Sequence, residues 1–230
     1  MYPLKRLTIL CGHYGSGKTN VAVNIAAELK KSREIVTVAD LDIVNPYFRT
    51  KDSAAYFEQQ GIRLICSAYA NSNVDIPALP QEMYALTDDR SMTAVLDIGG
   101  DPIGARVLAR FAHQLRAEDF DLLFVLNANR PETKDVESAL QYMQGIEAEC
   151  RQKVTGIVNN THLCGETTAE EILKGARLAQ QLSERTSLPV IHHAVQRKFV
   201  EQVQDKLPEP VLPMNIYMKK PWEIIFCEEE

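Results

Sequence analysis

Short unbroken apolar runs alternate along this chain with longer stretches whose apolar residues recur every three or four positions. The runs are Leu7-Thr8-Ile9-Leu10-Cys11, Ile35-Val36-Thr37-Val38-Ala39, Ile62-Arg63-Leu64-Ile65-Cys66, Ala94-Val95-Leu96-Asp97, Leu122 to Leu126, Val154 to Val158 and Val190 to Ala194. Their length and β-branched content predict strands. Between them, Val21, Ile25 and Leu29 form a helical stripe that ends at the cations Lys30 and Lys31. Leu79 to Leu86, Gly104 to Ala117, and the stripe Val136, Leu140, Met143 and Ile146 predict further helices. Thr168 opens another, with Glu170 and Glu171 in its first turn, Ile172, Ala176 and Ala179 facing inward, and Pro189 beyond its end. Asn45-Pro46 marks a loop or a helix start. Strands that are continuously apolar, rather than alternating, belong in a parallel sheet covered on both faces. The expected fold is α/β, a doubly wound, mostly parallel sheet of about seven strands with helices on both sides.

No Pro/Gly/Ser-rich or charge-rich linker divides the 230 residues, so one domain is expected over 1–230, with a short C-terminal tail from about 207. The net charge of −6 argues against nucleic acid as a partner, because phosphate contacts need a basic face. No signal-peptide pattern opens the chain, and no apolar stretch approaches the ~18 residues of a membrane span. A cytoplasmic location is expected. Cys11, Cys66, Cys150, Cys164 and Cys227 are scattered and never in C-x-x-C spacing, so no disulfide framework, zinc site or iron–sulfur cluster is expected.

The candidate chemistry gathers where the predicted strands end. Gly12-His13-Tyr14-Gly15-Ser16-Gly17-Lys18-Thr19 reads G-x-x-x-x-G-K-T directly after the first strand and before a helix, and these residues with Asn20 are the expected nucleotide-binding set. Glycines there let several backbone N–H groups turn toward one anion, and the helix N-terminus faces the same anion. In this phosphate-binding loop Lys18 reaches the terminal phosphates and the Thr19 hydroxyl ligates Mg²⁺. Asp97 closes a later strand, as expected of a carboxylate that assists Mg²⁺, and Gly99-Gly100 would let the backbone approach a γ-phosphate. Asp40 and Asp42 end the strand after the loop's helix. Packing explains two acids beside an anion poorly, whereas Mg²⁺ and a water awaiting a proton acceptor explain them.

These residues carry a resemblance. The Gly12–Thr19 loop, Asp40-Leu41-Asp42, Asp97-Ile98-Gly99-Gly100-Asp101 and the Asn159-Asn160 strand exit are similar to the P-loop ATPase class that contains MinD, ParA and the nitrogenase iron protein. The resemblance covers Leu4 to about Val200. It implies ATP and Mg²⁺ as cofactors, Asp42 as the residue that positions or activates the attacking water, and Asp97 as a Mg²⁺ residue. It also implies an adenine contact from Asn159, with Asn160 as the alternative. The chain departs from the class at His13, where the signature loop carries a lysine, and at Tyr14, where it carries a glycine. That lysine crosses a dimer interface in relatives, so a nucleotide-driven homodimer here would have to form without it. The cysteines that hold the iron protein's cluster have no counterpart. The Lys219-Lys220-Pro221-Trp222 stretch is broken by proline, unlike the membrane helix of MinD-type relatives.

Three functions follow from this reading. The first is an ATP-hydrolysing switch that acts on a partner protein. The second is a small-molecule ligase or kinase resembling dethiobiotin synthase or cobyrinic acid amide synthase, for which Arg49, Tyr69 and Asn73 are acceptor-site candidates. The third is a nucleotide-binding regulatory module with little turnover. His162, His192 and His193 could suggest metal handling, but neighbours on a strand point to opposite faces. ATP is expected over GTP because no aspartate follows Asn159-Asn160 within Thr161-His162-Leu163.

Overall fold

A computed structural model describes residues 3–42, 51–66, 81–117 and 120–217. The acceptor candidates Arg49, Tyr69 and Asn73, the Lys219–Trp222 stretch and Cys227 lie outside them.

The continuous apolar runs form a single sheet because each buries both faces. In chain order the elements are β1 (Leu7–Cys11), α1 (Lys18–Lys30), β2 (Val36–Leu41), α2 (Lys51–Gln59), β3 (Arg63–Cys66), α3 (Gln81–Asp88) and β4 (Thr93–Ile98). There follow α4 (Pro102–Ala105), a 3₁₀ segment Arg106–Phe111, α5 (Ala112–Ala117), β5 (Phe120–Leu126), α6 (Val136–Cys150), β6 (Gly156–Asn159), α7 (Ala169–Thr186), β7 (Val190–Gln196), α8 (Val200–Val203) and β8 (Val211–Met214). The order across the sheet is β3-β2-β4-β1-β5-β6-β7-β8, and every pairing is parallel. β1 sits between β4 and β5, so the loop that leaves it emerges in the middle of the sheet's C-terminal edge, where such sheets bind ligands.

Alternate residues of each strand feed two cores. Leu122, Phe124 and Leu126 join Leu108, Leu115, Met143, Ile146, Ala179 and Leu182 on one side. Leu123 and Val125 join Val21, Ile25, Leu29 and Phe57 on the other. The chain thus has helices on both faces, as a doubly wound sheet requires.

Two elements differ from the sequence reading. The single helix expected over Gly104 to Ala117 starts at Pro102 and is interrupted by the 3₁₀ turn. Asp101 caps it by accepting from the Gly104 amide, and Pro102 takes the first helical position, where its missing N–H costs nothing. An eighth strand, β8, lies in the stretch expected as tail. Pro213 obscures it in sequence, yet a proline is tolerated on an edge strand, and β8 is the edge.

The three histidines do not converge. His193 bonds Asn159 and Glu209, with ring nitrogens 3.1 Å from Asn159 Nδ2 and 2.8 Å from Glu209 Oε2. His162 lies at the loop after β6, and His192 is buried in β7. Among the described residues no group of three or more His, Cys, Asp or Glu side chains is placed to hold a metal by itself. Burial pushes the His192 imidazole down to about 4. Between the ordinary imidazole range and that value, the unfolded chain binds a proton that the folded chain refuses. This contribution is therefore complete above about pH 6.5 and falls as pH drops toward 4, by at most about 3 kcal/mol. Denaturant unfolding between pH 7.5 and 5 is expected to show stability falling with pH, with a shallower slope in His192→Gln; parallel slopes would contradict it.

Candidate functional site

The loop after β1 wraps into a cup. Gly15 and Gly17 adopt φ of 74° and 84°, a region that side-chain-bearing residues enter at a cost, and Gly12 passes beneath the Val125 carbonyl of β5. The Ser16 amide donates to the His13 carbonyl at 3.0 Å, closing the turn, and the Val21 amide donates to the Gly17 carbonyl at 3.1 Å, starting α1. Lys18 is 6% exposed, and its ammonium donates to the His13 carbonyl at 3.4 Å, folded across the loop.

Three carboxylates stand at the strand ends beside this cup. Asp40 and Asp97 are register partners on β2 and β4, so their side chains leave the sheet on the same face, that of α1. Thr19 of α1 donates to Asp97 Oδ2 at 2.5 Å, while Asp97 Oδ1 is buried without a hydrogen-bond partner. The Asp42 amide donates to Asp40 Oδ1 at 3.0 Å, which fixes the turn that carries Asp42. Burial pushes the Asp97 carboxyl up to about 6; the Lys18 cation and the Thr19 hydroxyl pull it back, and the Asp42 charge adds to the rise. A buried carboxylate with one oxygen unused, next to a threonine hydroxyl and a lysine, fits a hydrated Mg²⁺ ion on a phosphate chain.

Gly100 closes the cup from the β4 side. A Cβ there would lie 2.8 Å from both Cα and N of Tyr14 and 2.9 Å from Lys18 Nζ. Its carbonyl accepts from the Tyr142 hydroxyl of α6 at 2.6 Å. Gly100→Ala must displace the loop or itself, at a cost of about 1–3 kcal/mol, and is expected to weaken nucleotide binding by roughly five- to a hundredfold on that scale. Equilibrium titration checks this, and undiminished affinity would show that the Gly100 segment does not bear on the loop.

Other candidates take places that the sequence did not reveal. The Asn20 side chain turns away from the cup: it donates to the Asn215 carbonyl at 3.0 Å and accepts from the Tyr217 amide at 3.0 Å. His13 is held within its own chain, 3.1 Å from Glu132 Oε2 and edge-on to the Tyr142 ring at 5.1 Å. Tyr14 is half exposed at the tip. Asn159 is 1% exposed, and its amide oxygen accepts from the Thr161 amide and hydroxyl at 3.2 and 2.7 Å while its nitrogen meets His193. A base contact from Asn159 would require this set of bonds to open. Asn160 instead touches the loop, donating to the Ser16 carbonyl at 2.7 Å.

Sequence reasoning passed over Arg130, whose Nε donates to the Gly15 carbonyl at 2.9 Å, and gave Glu132 and Tyr142 no role. The one sequence signal for Arg130 is that the Asn127–Pro131 loop leaves a strand's C-terminal end. His162 also sits at the cup; burial first, then the Arg130 cation, push its imidazole down to about 4, so it is neutral at pH 7.

No protein-family model matches the chain, and no curated protein matches it in sequence. Solved structures do. Chloroplast FtsY from Physcomitrella patens aligns with a TM-score of 0.54 and 17% identity over 80% of this chain and 56% of that one. FtsY from Mycoplasma mycoides aligns with a TM-score of 0.50 and 14% identity over 83% and 61%. FlhF complexed with GTP and Mg²⁺ aligns with a TM-score of 0.50 and 16% identity over 81% and 64%. The chain spans less than two thirds of the length of these structures. Taken with the eight-stranded parallel sheet and the loop after β1, the alignments show that this chain has the α/β P-loop nucleoside-triphosphatase fold.

Proposed function

We propose that the chain is a Mg²⁺-dependent nucleoside triphosphatase that acts as a switch on a partner protein, with ATP as its nucleotide. The observation that carries the reading is the convergence on one cup of Lys18, the Thr19–Asp97 bond, the Asp40–Asp97 pair and the Gly100 backbone. Thr19 and Asp97 would hold the ion, Asp97 through water, with Asp40 beside them. Mg²⁺, when bound, neutralises charge on the phosphate oxygens. Lys18 would turn from the His13 carbonyl to the terminal phosphates, a stronger charge-assisted partner. Asp42 would orient and deprotonate the attacking water. The motif residues support kinship with the MinD, ParA and iron-protein class.

The Gly100 segment supports a switch. It touches the loop on one side and Tyr142 on the other, and it leads into α4, where Ile103 is 69% exposed. A γ-phosphate pressing on Gly100 would shift a surface that a partner could read. Because His13 is engaged by Glu132 and Tyr142, any dimer would not be held through that position in the manner of the class lysine.

The choice of ATP rests on the loop after β6. FlhF was solved with GTP, but a guanine edge presents N–H donors, and Asn159 to Leu163 contains no carboxylate to accept them. In a competition titration, ATP is expected to bind at least roughly tenfold more tightly than GTP, the size of one lost charge-assisted bond. Equal competition would overturn the base assignment, and binding of neither would overturn the site.

A further inference from the structure

We propose that Arg130 and Asn160 are positioning residues that brace the loop from its outer side, Asn160 by aiming the Gly17 amide at phosphate and Arg130 by fixing the turn that presents it. This rests on the cup being the nucleotide site.

In a trans peptide the C=O and N–H point in opposite directions, so whatever holds the carbonyl also aims the amide. Asn160 holds the Ser16 carbonyl outward, at 2.7 Å, and thereby directs the Gly17 N–H the other way, into the cup. Arg130 holds the Gly15 carbonyl at 2.9 Å; that peptide's N–H, on Ser16, closes the turn onto His13 at 3.0 Å. Two successive peptides are thus gripped by two side chains from two different strand exits, β5 and β6. Hydrogen bonding at a carbonyl also polarises its peptide, which makes the N–H a better donor to an anion.

The space around the two glycines bears this out. A Cβ on Gly15 would lie 2.9 Å from the Arg130 guanidinium carbon, and one on Gly17 would overlap the Asn160 amide nitrogen and sit 3.0 Å from His162 Nε2. The loop's glycines therefore make room for these braces as well as permitting the turn. Asn160 is itself held in place: it is 7% exposed, and its own amide donates to the Leu126 carbonyl at 2.8 Å. Asn127 joins the two exits by accepting from the His162 amide at 3.3 Å.

A brace acts on phosphate and is blind to the base, which separates it from a base contact. The experiment titrates the full chain with Mg²⁺-ATP, Mg²⁺-GTP and inorganic tripolyphosphate, comparing the parent with Asn160→Ala, Arg130→Ala and Arg130→Lys, and records each variant's unliganded melting temperature. Asn160→Ala and Arg130→Ala are expected to weaken ATP and tripolyphosphate by the same factor, roughly tenfold, with GTP reduced in proportion where it binds. Arg130→Lys, which keeps a cationic donor, should recover part of the loss. A loss confined to one nucleotide would overturn the proposal in favour of base recognition, and affinities within twofold of the parent would overturn it outright. If Asn160→Ala does not fold, the two Arg130 variants decide by the same criteria. Failure of the parent to bind any of the three ligands would overturn the underlying site instead.

Discussion

Lys18→Ala is expected to weaken nucleoside-triphosphate binding by roughly ten- to a hundredfold in affinity. Lys18 is buried against the cup's own backbone, and its ammonium bonds the His13 carbonyl at 3.4 Å, a long contact easily exchanged for phosphate oxygen. A charge-assisted bond contributes about 1.5–3 kcal/mol, and removing it leaves an anion near Asp40 and Asp97 with one counter-charge fewer. The same truncation removes a charge that lowers the Asp97 carboxyl, so Asp97 should take up a proton more readily. Titration calorimetry with a non-hydrolysable ATP analogue measures the loss. Affinity within a few-fold of the parent would place the nucleotide elsewhere.

Asp42→Asn should have the opposite signature, with nucleotide still bound and hydrolysis slowed roughly a hundredfold or more, the usual size of a lost general base. The argument is geometric. Asp40 is buried, 4% exposed, and one of its oxygens accepts from the Asp42 amide, so it shapes the turn. Asp42 lies beyond the strand end, half-buried, close enough for its charge to raise Asp97. Water activation suits the accessible acid, whereas the buried one suits the metal side of the site. Single-turnover rates at saturating nucleotide make the comparison. A parent-like rate in Asp42→Asn would move the role to Asp40.

What could be read in the sequence, and what could not, follows from the range of the interactions. Continuous apolar runs mark strands buried on both faces, so seven strands of the parallel sheet were legible from local pattern. β8 was hidden because Pro213 breaks the strand signal, and only its place at the sheet edge makes it permissible. The Gly12–Thr19 loop is contiguous, so its place as a glycine-rich turn between β1 and α1 was readable without a fold. Arg130 and Asn160 reach it across 115 and 144 residues of sequence, and such contacts leave no periodic trace. Asn159 and Asn160 are adjacent and chemically alike. Only the packing of His193 and Thr161 around Asn159 shows which of the two faces the loop.

His13 shows the same limit from the other side. The sequence revealed the departure from the class lysine, but only the fold shows where the imidazole goes. It lies against Glu132 and Tyr142, and Tyr142 in turn holds the Gly100 carbonyl at 2.6 Å. The position that carries a lysine in the resembling class is here packed among the groups on the Gly100 side of the cup.

The most direct test of the switch reading is phosphate release from ATP by the purified full chain, in Mg²⁺ and again in excess chelator, beside Lys18→Ala. Slow release that requires Mg²⁺ and disappears in Lys18→Ala is the predicted result. Release that is indifferent to the chelator, or equal in the parent and Lys18→Ala, would contradict it.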